Sequence, residues 1–539
     1  MPVEVSTRQR TGISRSRASL VAFLVGVAIV SAGWILLITP SGPVVGPDSA
    51  AYIGGAENFA SGRGITLPFV PRGTEVSPLV TAKLDGRAPL YQYSPLLSAM
   101  LAPAVRAGAD ARWAALYLNA VLCAITTVLV AWAIVQLAGR YVPAVLGVLF
   151  LLSTEVFLYS FTSVSTEALF LPLVLAALAV LARYLVAPDW RVAGVFVVLA
   201  AAAALARIVG VTVIATGVLA VLVWSQPRPR RIWRALVIGA AACVPVVAWS
   251  VYQSSTGDLG GVGELAWHPP PLFAGLSGAI DTWLTGTLLG DASEAVRTAV
   301  FVVVVLLAVG GCWWAHRTGM FRSPSERSLV RVGWLFPVVY VPFLYLTIAV
   351  VVASTPFGLK YLVPVLPPLL VLAVAGAWKL LIDGARAPII ALAVALVVIV
   401  PVAVRHADAA RQVWETGRSA VETPAFAGSG SGIDALSALS SGSIVFTNNP
   451  EGVNAATGLF AIALPPTESV WTGQRNERYR EQLEEIGLAL CRHPGVVFIS
   501  SVEVFGSVDV DPFGRAAGLD VVGTYPDGTV LAPSAATCE

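Results

Sequence analysis

The sequence alternates between long apolar runs and short polar connectors. A helix needs about 20 mostly apolar residues to cross a bilayer, and about eleven of the runs predict such helices. The predicted spans are residues 20–39, 113–137, 142–161, 166–187, 191–206, 208–225, 232–253, 297–315, 332–353, 358–381 and 387–404. This pattern indicates a polytopic α-helical membrane protein.

The composition supports the same class. Of the 539 residues, 56% are hydrophobic and only 12% are charged, whereas a soluble globular domain carries about 25% charged residues. The mean hydropathy is +0.78. A soluble globule of this size is therefore excluded. The net charge of +2 is small, and we expect membrane lipids rather than nucleic acid around the chain.

Basic residues mark one side of the predicted bundle. Short connectors rich in Lys and Arg lie on the cytoplasmic side of a membrane. Residues 1–19 contain four arginines, so they are predicted to be a cytoplasmic N-terminus that leads into an uncleaved anchor. The other basic residues of the connectors are predicted to lie on the same side. They are Arg140, Arg191, Arg228, Arg230, Arg231, Arg234, Arg317, Arg322, Arg327, Arg331, Lys379 and Arg386.

This orientation places three segments together on the outer side of the cytoplasmic (inner) membrane. They are the loops 40–112 and 254–296 and the tail 405–539, while residues 20–404 form the membrane domain. The loop 254–296 contains no Lys or Arg, as expected of an outer loop. The repeated halves that are common in transporters are not evident.

The tail has the pattern of a small extracytoplasmic α/β domain. Residues 424–442 are rich in Gly, Ser and Ala and are predicted to be a linker or a loose start of the domain. The other predicted elements are buried strands at 443–447 and 496–500, a helix over 474–492 and a closing hairpin over 521–531.

The five cysteines indicate no metal site, because no CxxC or Cys/His cluster is present. Cys123, Cys243 and Cys312 lie in apolar runs and are interpreted as small buried hydrophobes. Cys491 and Cys538 lie in the tail and can form a disulfide if the tail is outside the cytoplasm.

Asp48 is the main candidate for chemistry, since it places a carboxylate just beyond the first span. Pro47 and Asp48 favour a helix that begins here. Asp48, Tyr52, Gly55 and Phe59 are spaced by four, three and four residues, which places them on one face of that helix. An acid at the outer membrane edge can act as the general base for an acceptor hydroxyl. The alternative is an ordinary helix cap.

Two other acids are secondary candidates. Glu57 follows Asp48 by nine residues, which places it on the opposite side of the same helix. Glu155 stands near the outer end of the third predicted span, at a depth where a carboxylate is costly unless it is paired or faces a wet cavity. The alternative is a carboxylate close enough to the surface to be hydrated.

Glu167, Arg207 and Lys360 stand near the outer ends of predicted spans, and Tyr361 follows Lys360. Two cations at headgroup depth suit a lipid-linked phosphate. Glu167 can orient an acceptor or hold a cation. The alternatives are a hydrated carboxylate and cations that snorkel to ordinary lipid phosphates.

Other polar features have simpler interpretations. Tyr91 and Tyr93 precede an amphipathic stretch and are expected to be interface aromatics. His268 has no partner at metal spacing and is interpreted as a loop residue. Residues 448–452 follow a predicted strand and form either a binding turn or, more simply, a turn.

Four short motifs resemble the C-type (GT-C) membrane glycosyltransferases. The resemblance is to the group of aminoarabinose transferases, protein O-mannosyltransferases and their bacterial relatives, and it covers the membrane domain. The motifs are Asp48-Ser49-x-x-Tyr52, Tyr93-Ser94-Pro95-Leu96-Leu97, Ser165-Thr166-Glu167-Ala168-Leu169-Phe170 and Lys360-Tyr361-Leu362-Val363-Pro364-Val365-Leu366-Pro367.

The resemblance implies a polyprenyl-phosphate-linked sugar donor and a catalytic acid in the first outer loop, here Asp48. Ser49 stands where the family often has Glu, which leaves dependence on a divalent metal open. The side chains expected to contact substrates are Tyr52, Glu167, Arg207, Lys360 and Tyr361.

The expected function is the transfer of a hexosyl or pentosyl group to a cell-envelope glycan, lipid or protein. One alternative is a polytopic carrier or lipid flippase, which predicts polar residues at mid-membrane. Another is a non-catalytic scaffold that displays the tail, which predicts that Asp48 and Lys360 are both dispensable.

Overall fold

The computed structural model describes residues 8–71, 88–90, 93–225, 230–256, 323–351, 359–381, 431–468, 473–501 and 508–538, with Trp267, Pro269, Gly319 and Phe321. Helices dominate the described residues up to 381. In chain order they are α1 (Arg8–Ile38), α2 (Pro47–Ala60), α3 (Leu96–Arg106), α4 (Ala111–Ala138), α5 (Tyr141–Ser153), α6 (Glu155–Thr162), α7 (Thr166–Val186), α8 (Trp190–Ala206), α9 (Val211–Trp224), α10 (Arg231–Thr256), α11 (Pro324–Val351), α12 (Leu359–Leu362) and α13 (Leu366–Leu381).

Within these described ranges, six helices are long and apolar enough to cross a membrane. They are Arg17–Ile38, Ala111–Ala138, Thr166–Val186, Arg231–Ser255, Pro324–Val351 and Lys360–Lys379. The chain is thus a multi-pass α-helical membrane protein. The predicted spans 297–315 and 387–404 lie outside the described residues, so the count of about eleven stays a prediction.

The single span predicted over 142–161 is interrupted, because α5 and α6 form a pair bent by 70°. The break lies at Thr154, whose backbone is extended. Both Ser153 Oγ and Thr154 Oγ1 donate to the carbonyl of Phe150, at 2.9 and 2.8 Å. Such back-bonding by consecutive hydroxyl residues competes with the helical ladder and bends helices.

The tail combines short helices with most of a mixed sheet. Its elements are α14 (Gly432–Ser437), β4 (Ile444–Thr447), α15 (Pro450–Thr457), β5 (Phe460–Ala463), α16 (Tyr479–Arg492), β6 (Gly495–Ser500), α17 (Val510–Ala517), β7 (Leu519–Tyr525), β8 (Gly528–Pro533) and α18 (Ala535–Cys538). The first loop adds β1 (Thr66–Leu67), β2 (Phe69–Val70) and β3 (Ala88–Pro89).

The six-stranded sheet joins the first loop to the tail. Its strand order is β2-β5-β4-β6-β8-β7. The edge strand β2 runs parallel to β5, with Phe69 opposite Ala461 and Val70 opposite Ile462. Asn454 Nδ2 also donates to the carbonyl of Pro68 at 3.2 Å. A two-residue strand is too short to show a periodic pattern, so the sequence did not reveal this pairing.

The predicted core elements of the tail are confirmed. Strands β4 and β6 are buried, and Leu483, Ile486 and Leu490 form the buried face of α16. This helix begins at Tyr479 rather than at 474, since Asn476 Oδ1 accepts from the Arg478 N–H at 3.1 Å in a turn before it. Cys491 and Cys538 form a disulfide with their Cα atoms 5.4 Å apart.

The linker predicted over 424–442 is wrong for its second half. Ser431 caps α14, and the Asp527 carboxylate accepts from the N–H groups of Gly432 at 2.6 Å and Ile433 at 3.2 Å. Asp527 lies in the turn between β7 and β8, so the tail's closing hairpin anchors the start of this helix. Residues 424–430 lie outside the described part of the chain.

Helix α2 lies between two hydrophobic cores. Tyr52 and Ile53 pack in the core of the membrane domain. Ala51 on the same helix packs with Phe69 and with the tail's Ala461 in the second core. The segment that carries Asp48 is therefore held from both sides.

Candidate functional site

Asp48 lies in the first turn of α2, as predicted, but it does not cap the helix. Pro47 occupies the first helical position, and Gly46 is the cap residue. The side chain that satisfies the helix start is that of Ser49, whose Oγ accepts from the Gly46 N–H at 3.0 Å. The Asp48 carboxylate is thus available for another partner.

That partner is Lys360, whose Nζ donates to Asp48 Oδ2 at 2.6 Å. The two side chains are 38% and 50% exposed, so the ion pair is open to water. Lys360 lies on the one-turn helix α12, which leads through a 3-10 turn (Val363–Val365) into α13. The Tyr340 hydroxyl donates to the Tyr361 carbonyl at 2.6 Å and fixes this turn.

A second ion pair joins Glu167 to Arg207. Its side chains are only 4% and 14% exposed. Glu167 lies in the first turn of α7, where the positive end of the helix dipole favours a carboxylate. The Arg207 guanidinium also reaches Thr166 Oγ1 at 3.5 Å and stands 5.7 Å from the Tyr361 ring centroid.

Arg207 is placed by a break in the backbone, as the two short predicted helices suggested. Its backbone is extended between α8 and a 3-10 turn (Ile208–Gly210). Gly210 lies so close to the preceding helix that a Cβ would overlap the carbonyl of Ala203. Only glycine can approach the preceding helix this closely. The close packing of Gly210 therefore fixes the position of the nearby Arg207 backbone.

The two pairs form one cluster with two acids and two cations. Lys360 interacts electrostatically with Glu167 as well as with Asp48, and Glu167 interacts with both cations. Four separate parts of the chain therefore place two negative and two positive charges together, with Tyr361 beside them.

Tyrosine side chains flank the cluster. The rings of Tyr52 and Tyr93 pack edge to face with centroids 5.6 Å apart, and Ser98 Oγ donates to the Tyr52 carbonyl at 3.0 Å. Burial raises the pKa of Tyr52 above its usual value, and the negative charge of Asp48 raises that pKa further. Tyr52 therefore stays a neutral hydroxyl at physiological pH.

The structure brings together all the main candidates but not the secondary acids. Glu57 is exposed on the far side of α2, and its charged neighbours are Asp110, Arg112 and Arg63. Glu155 begins α6, but its side chain lies outside the described part of the structure. Phe59, expected on the Asp48 face, is 42% exposed.

Two residues of the site region were not recognised in the sequence. Tyr93, expected to be an interface aromatic, packs against both hydrophobic cores. Glu451, within the turn 448–452, is buried in the first turn of α15. Its position directly after a predicted strand and a proline was the only feature of the sequence that could have pointed to Glu451. Tyr91 and His268 lie outside the described residues.

The rest of that turn is structural. The Asn448 side chain bridges two strands, accepting from the Ser500 N–H at 2.8 Å and donating to the Ser500 carbonyl at 2.9 Å. Asn449 Oδ1 caps α15 by accepting from the Gly452 N–H at 3.0 Å. These contacts favour the simpler interpretation of residues 448–452.

Among the described residues, no three or more His, Cys, Asp or Glu side chains gather where they could hold a metal ion. The acids that are close together, Asp48 and Glu167, each face a cationic side chain. These residues do not form a ready metal site.

Comparison with solved structures identifies the fold. The chain matches ArnT from Cupriavidus metallidurans bound to undecaprenyl phosphate, with a TM-score of 0.57 and 15% identity over 96% of this chain and 99% of ArnT. The GT-C fold expected from the short motifs is thereby confirmed. No family model and no curated protein matches the sequence.

Two oligosaccharyltransferase structures from Archaeoglobus fulgidus also match. AglB in complex with an inhibitory peptide and a dolichol-phosphate has a TM-score of 0.49 and 10% identity over 88% of this chain and 69% of AglB. The oligosaccharyltransferase in the apo form has a TM-score of 0.47 and 12% identity over 83% of this chain and 65% of the oligosaccharyltransferase chain.

Proposed function

We propose that the protein is a membrane glycosyltransferase that moves a sugar from a polyprenyl-phosphate donor to an acceptor hydroxyl. The observation that carries the proposal is the cluster formed by Asp48, Lys360, Glu167 and Arg207. It unites a water-exposed carboxylate with two cations at the end of a bundle of membrane helices. ArnT, which has this fold, was determined with bound undecaprenyl phosphate.

The two ion pairs suit different tasks because their exposure differs. An exposed ion pair stabilises a protein by only about 0.2–1 kcal/mol, so an incoming phosphate can take Lys360 from Asp48 at little cost. Removing one partner of a buried pair costs about 3–5 kcal/mol. The Glu167–Arg207 pair therefore keeps Arg207 in place while Lys360 exchanges partners.

This exchange links donor binding to activation of the base. With Lys360 on the phosphate, the Asp48 carboxylate is free to accept a hydrogen bond from the acceptor alcohol. Asp48 takes the proton as the alcohol oxygen bonds to the anomeric carbon. The bond from that carbon to the phosphate oxygen breaks, and its electron pair stays on the lipid phosphate. Lys360 and Arg207 stabilise the charge that develops there.

The remaining residues of the cluster hold the reactants. Glu167 orients Arg207, and Tyr52 and Tyr361 contact the sugar or the phosphate beside the two cations. Attack from the face opposite the leaving phosphate inverts the anomeric centre. The transferred group is a hexosyl or pentosyl residue, and the acceptor is a cell-envelope glycan, lipid or protein.

The reaction belongs at the outer face of the cytoplasmic membrane, with the N-terminus inside. The basic connectors support this orientation. The disulfide in the tail also supports it, because such bonds persist in oxidising compartments.

The direct test is Asp48→Asn in the full-length protein in lipid nanodiscs, assayed with polyprenyl-phosphate hexoses and pentoses and a panel of octyl glycosides. Loss of the base lowers kcat by about 100-fold or more. Glu57→Gln is the matched control, because it removes an exposed acid from the same helix. Unchanged transfer by well-folded Asp48→Asn rejects the role. Lipid movement in vesicles without any sugar transfer favours the flippase.

A further inference from the structure

A buried phenol contacts the backbone of the turn that carries Lys360. This turn consists of the one-turn helix α12 and the 3-10 turn that follows it. So short a helix has little stability of its own, and contacts with other elements decide where it lies. The Tyr340 hydroxyl supplies such a contact, because it donates to the Tyr361 carbonyl at 2.6 Å. Tyr361 is the next residue after Lys360 in the chain.

Tyr340 is itself held in place by its surroundings. It lies well inside α11 and is only 1% exposed. Its ring centroid lies 5.2 Å from that of Phe336 and 6.5 Å from that of Phe170, within the range in which aromatic rings attract one another. Phe170 belongs to α7, three residues after Glu167. The phenol therefore connects the helix of the buried ion pair to the turn of the exposed pair.

The hydroxyl of Tyr340 has a purpose beyond the filling of space. The rings that pack against Tyr340 belong to two phenylalanines, and a third phenylalanine would fit among them without a polar group that must find a partner. The hydroxyl instead reaches an acceptor on another element, 21 positions further along the chain. The residue that precedes this acceptor is the one whose side chain binds Asp48.

The hydrogen bond matters most when Lys360 changes partner. In the structure, the Lys360 ammonium group is held by Asp48 at 2.6 Å. Once a phosphate takes the lysine, that tie is lost, and the bond from Tyr340 still holds the turn. The Arg207 guanidinium stands 5.7 Å from the Tyr361 ring centroid, so the same turn also adjoins the second cation. The backbone of Lys360 thereby keeps a constant position relative to Arg207.

We propose that Tyr340 is a positioning residue for the donor phosphate and that it acts through Lys360. Its hydrogen bond sets the point from which the lysine side chain reaches either Asp48 or the phosphate. In this role Tyr340 contacts neither the sugar nor the acceptor. The affinity for a lipid-linked phosphate therefore depends on the hydroxyl, and the affinity for the acceptor does not. This inference rests on the proposed function and deepens it.

The test is Tyr340→Phe in the full-length protein in lipid nanodiscs, titrated with undecaprenyl phosphate. The variant keeps the ring and loses only the hydrogen bond. We expect the Kd to rise about tenfold, the size of effect that the loss of one hydrogen bond to a partly buried group produces. The KM for the octyl-glycoside acceptor stays within about twofold of the native value. An unchanged Kd overturns the inference.

A double-mutant cycle shows whether the hydroxyl acts through Lys360. In the Lys360→Met background the lysine is already absent, so the addition of Tyr340→Phe changes the Kd by less than about twofold. Coupled residues depart from additivity in this way, whereas independent effects add. If the tenfold rise persists in the Lys360→Met background, Tyr340 supports the fold in general and the positioning role is rejected.

Phe336→Leu is the matched control, because it alters the ring beside Tyr340 and leaves the hydroxyl in place. It lowers the Tm of the protein, since a fully buried ring is lost. The Kd for undecaprenyl phosphate stays within about twofold. If the Kd rises equally in Phe336→Leu and Tyr340→Phe, packing rather than the hydroxyl sets the affinity, and the inference is overturned.

The outcomes also separate this inference from the proposed function. If Lys360→Met leaves the Kd for undecaprenyl phosphate unchanged, the lysine does not bind the phosphate, and the proposed function of the cluster fails together with this inference. If Lys360→Met raises the Kd and Tyr340→Phe does not, this inference alone is overturned.

Discussion

Lys360 Nζ lies 2.6 Å from Asp48 Oδ2, although 312 positions separate the two residues in the chain. Asp48 belongs to the first loop, and Lys360 begins the last membrane helix described in the structure. Their contact brings the proposed base and the proposed phosphate-binding cation together, and it depends on the tertiary packing of the membrane domain. The ion pair also balances the charges of the Asp48 carboxylate and the Lys360 ammonium group until another anion competes for the lysine.

We expect Lys360→Met to weaken the donor side of the reaction. Without the ammonium group, the phosphate loses one of two cations, and kcat/KM falls by about 100-fold or more. The Kd for undecaprenyl phosphate rises in parallel, as measured by titration in nanodiscs. Lys360→Arg keeps the charge and retains part of the activity.

The matched control for this variant is Lys379→Met. Lys379 lies at the other end of the same span and pairs with Glu326 at 3.4 Å. Equal losses of donor affinity in both variants contradict a specific role for Lys360.

Glu167→Gln is expected to destabilise the membrane domain. The change leaves the buried Arg207 guanidinium without its counter-charge, which costs about 3–5 kcal/mol of unfolding free energy. Asp48→Asn serves as the comparison, because its ion pair is exposed and its loss costs about 1 kcal/mol or less. Unfolding in a lipid mimetic measures both. Similar losses for the two variants contradict the distinction between a fixed and an exchangeable pair.

Gly210→Ala is expected to displace Arg207. The added methyl group overlaps the Ala203 carbonyl, and such overpacking costs about 1–3 kcal/mol. Phosphate-lipid affinity and unfolding free energy both fall. Gly194→Ala on α8 is the control, because a Cβ there meets open space. A Gly210→Ala protein with unchanged stability and donor affinity contradicts the constraint on this turn.

Phe69→Ala is expected to loosen the tail from the first loop. Phe69 is fully buried in β2, so truncation costs about 3–5 kcal/mol. Hydrogen exchange of the β5 amides, followed by mass spectrometry, becomes faster as the parallel pairing weakens. Phe59→Ala, which changes an exposed side chain of the same loop, leaves exchange unchanged. Equal protection of β5 in both variants excludes this attachment.

The sequence by itself determined the class of protein and its main elements. Long apolar runs predict helices because each backbone group must find its partner within the same segment in lipid. The tail strands near 443–447 and 496–500 and the start of α2 at Pro47 also follow from local pattern. The four short motifs, together with the apolar runs, predicted the fold.

Only the tertiary structure decided how the charges pair and how the tail attaches. Whether Asp48 faces Lys360 or Glu57 depends on the packing of helices that are far apart in sequence, and no local periodicity encodes such a contact. The two residues of β2 have too few positions to show alternation, so their strand exists only because β5 supplies the hydrogen-bonding partner. Glu451 looked like part of an ordinary turn in the sequence, and its burial is evident only in the folded structure.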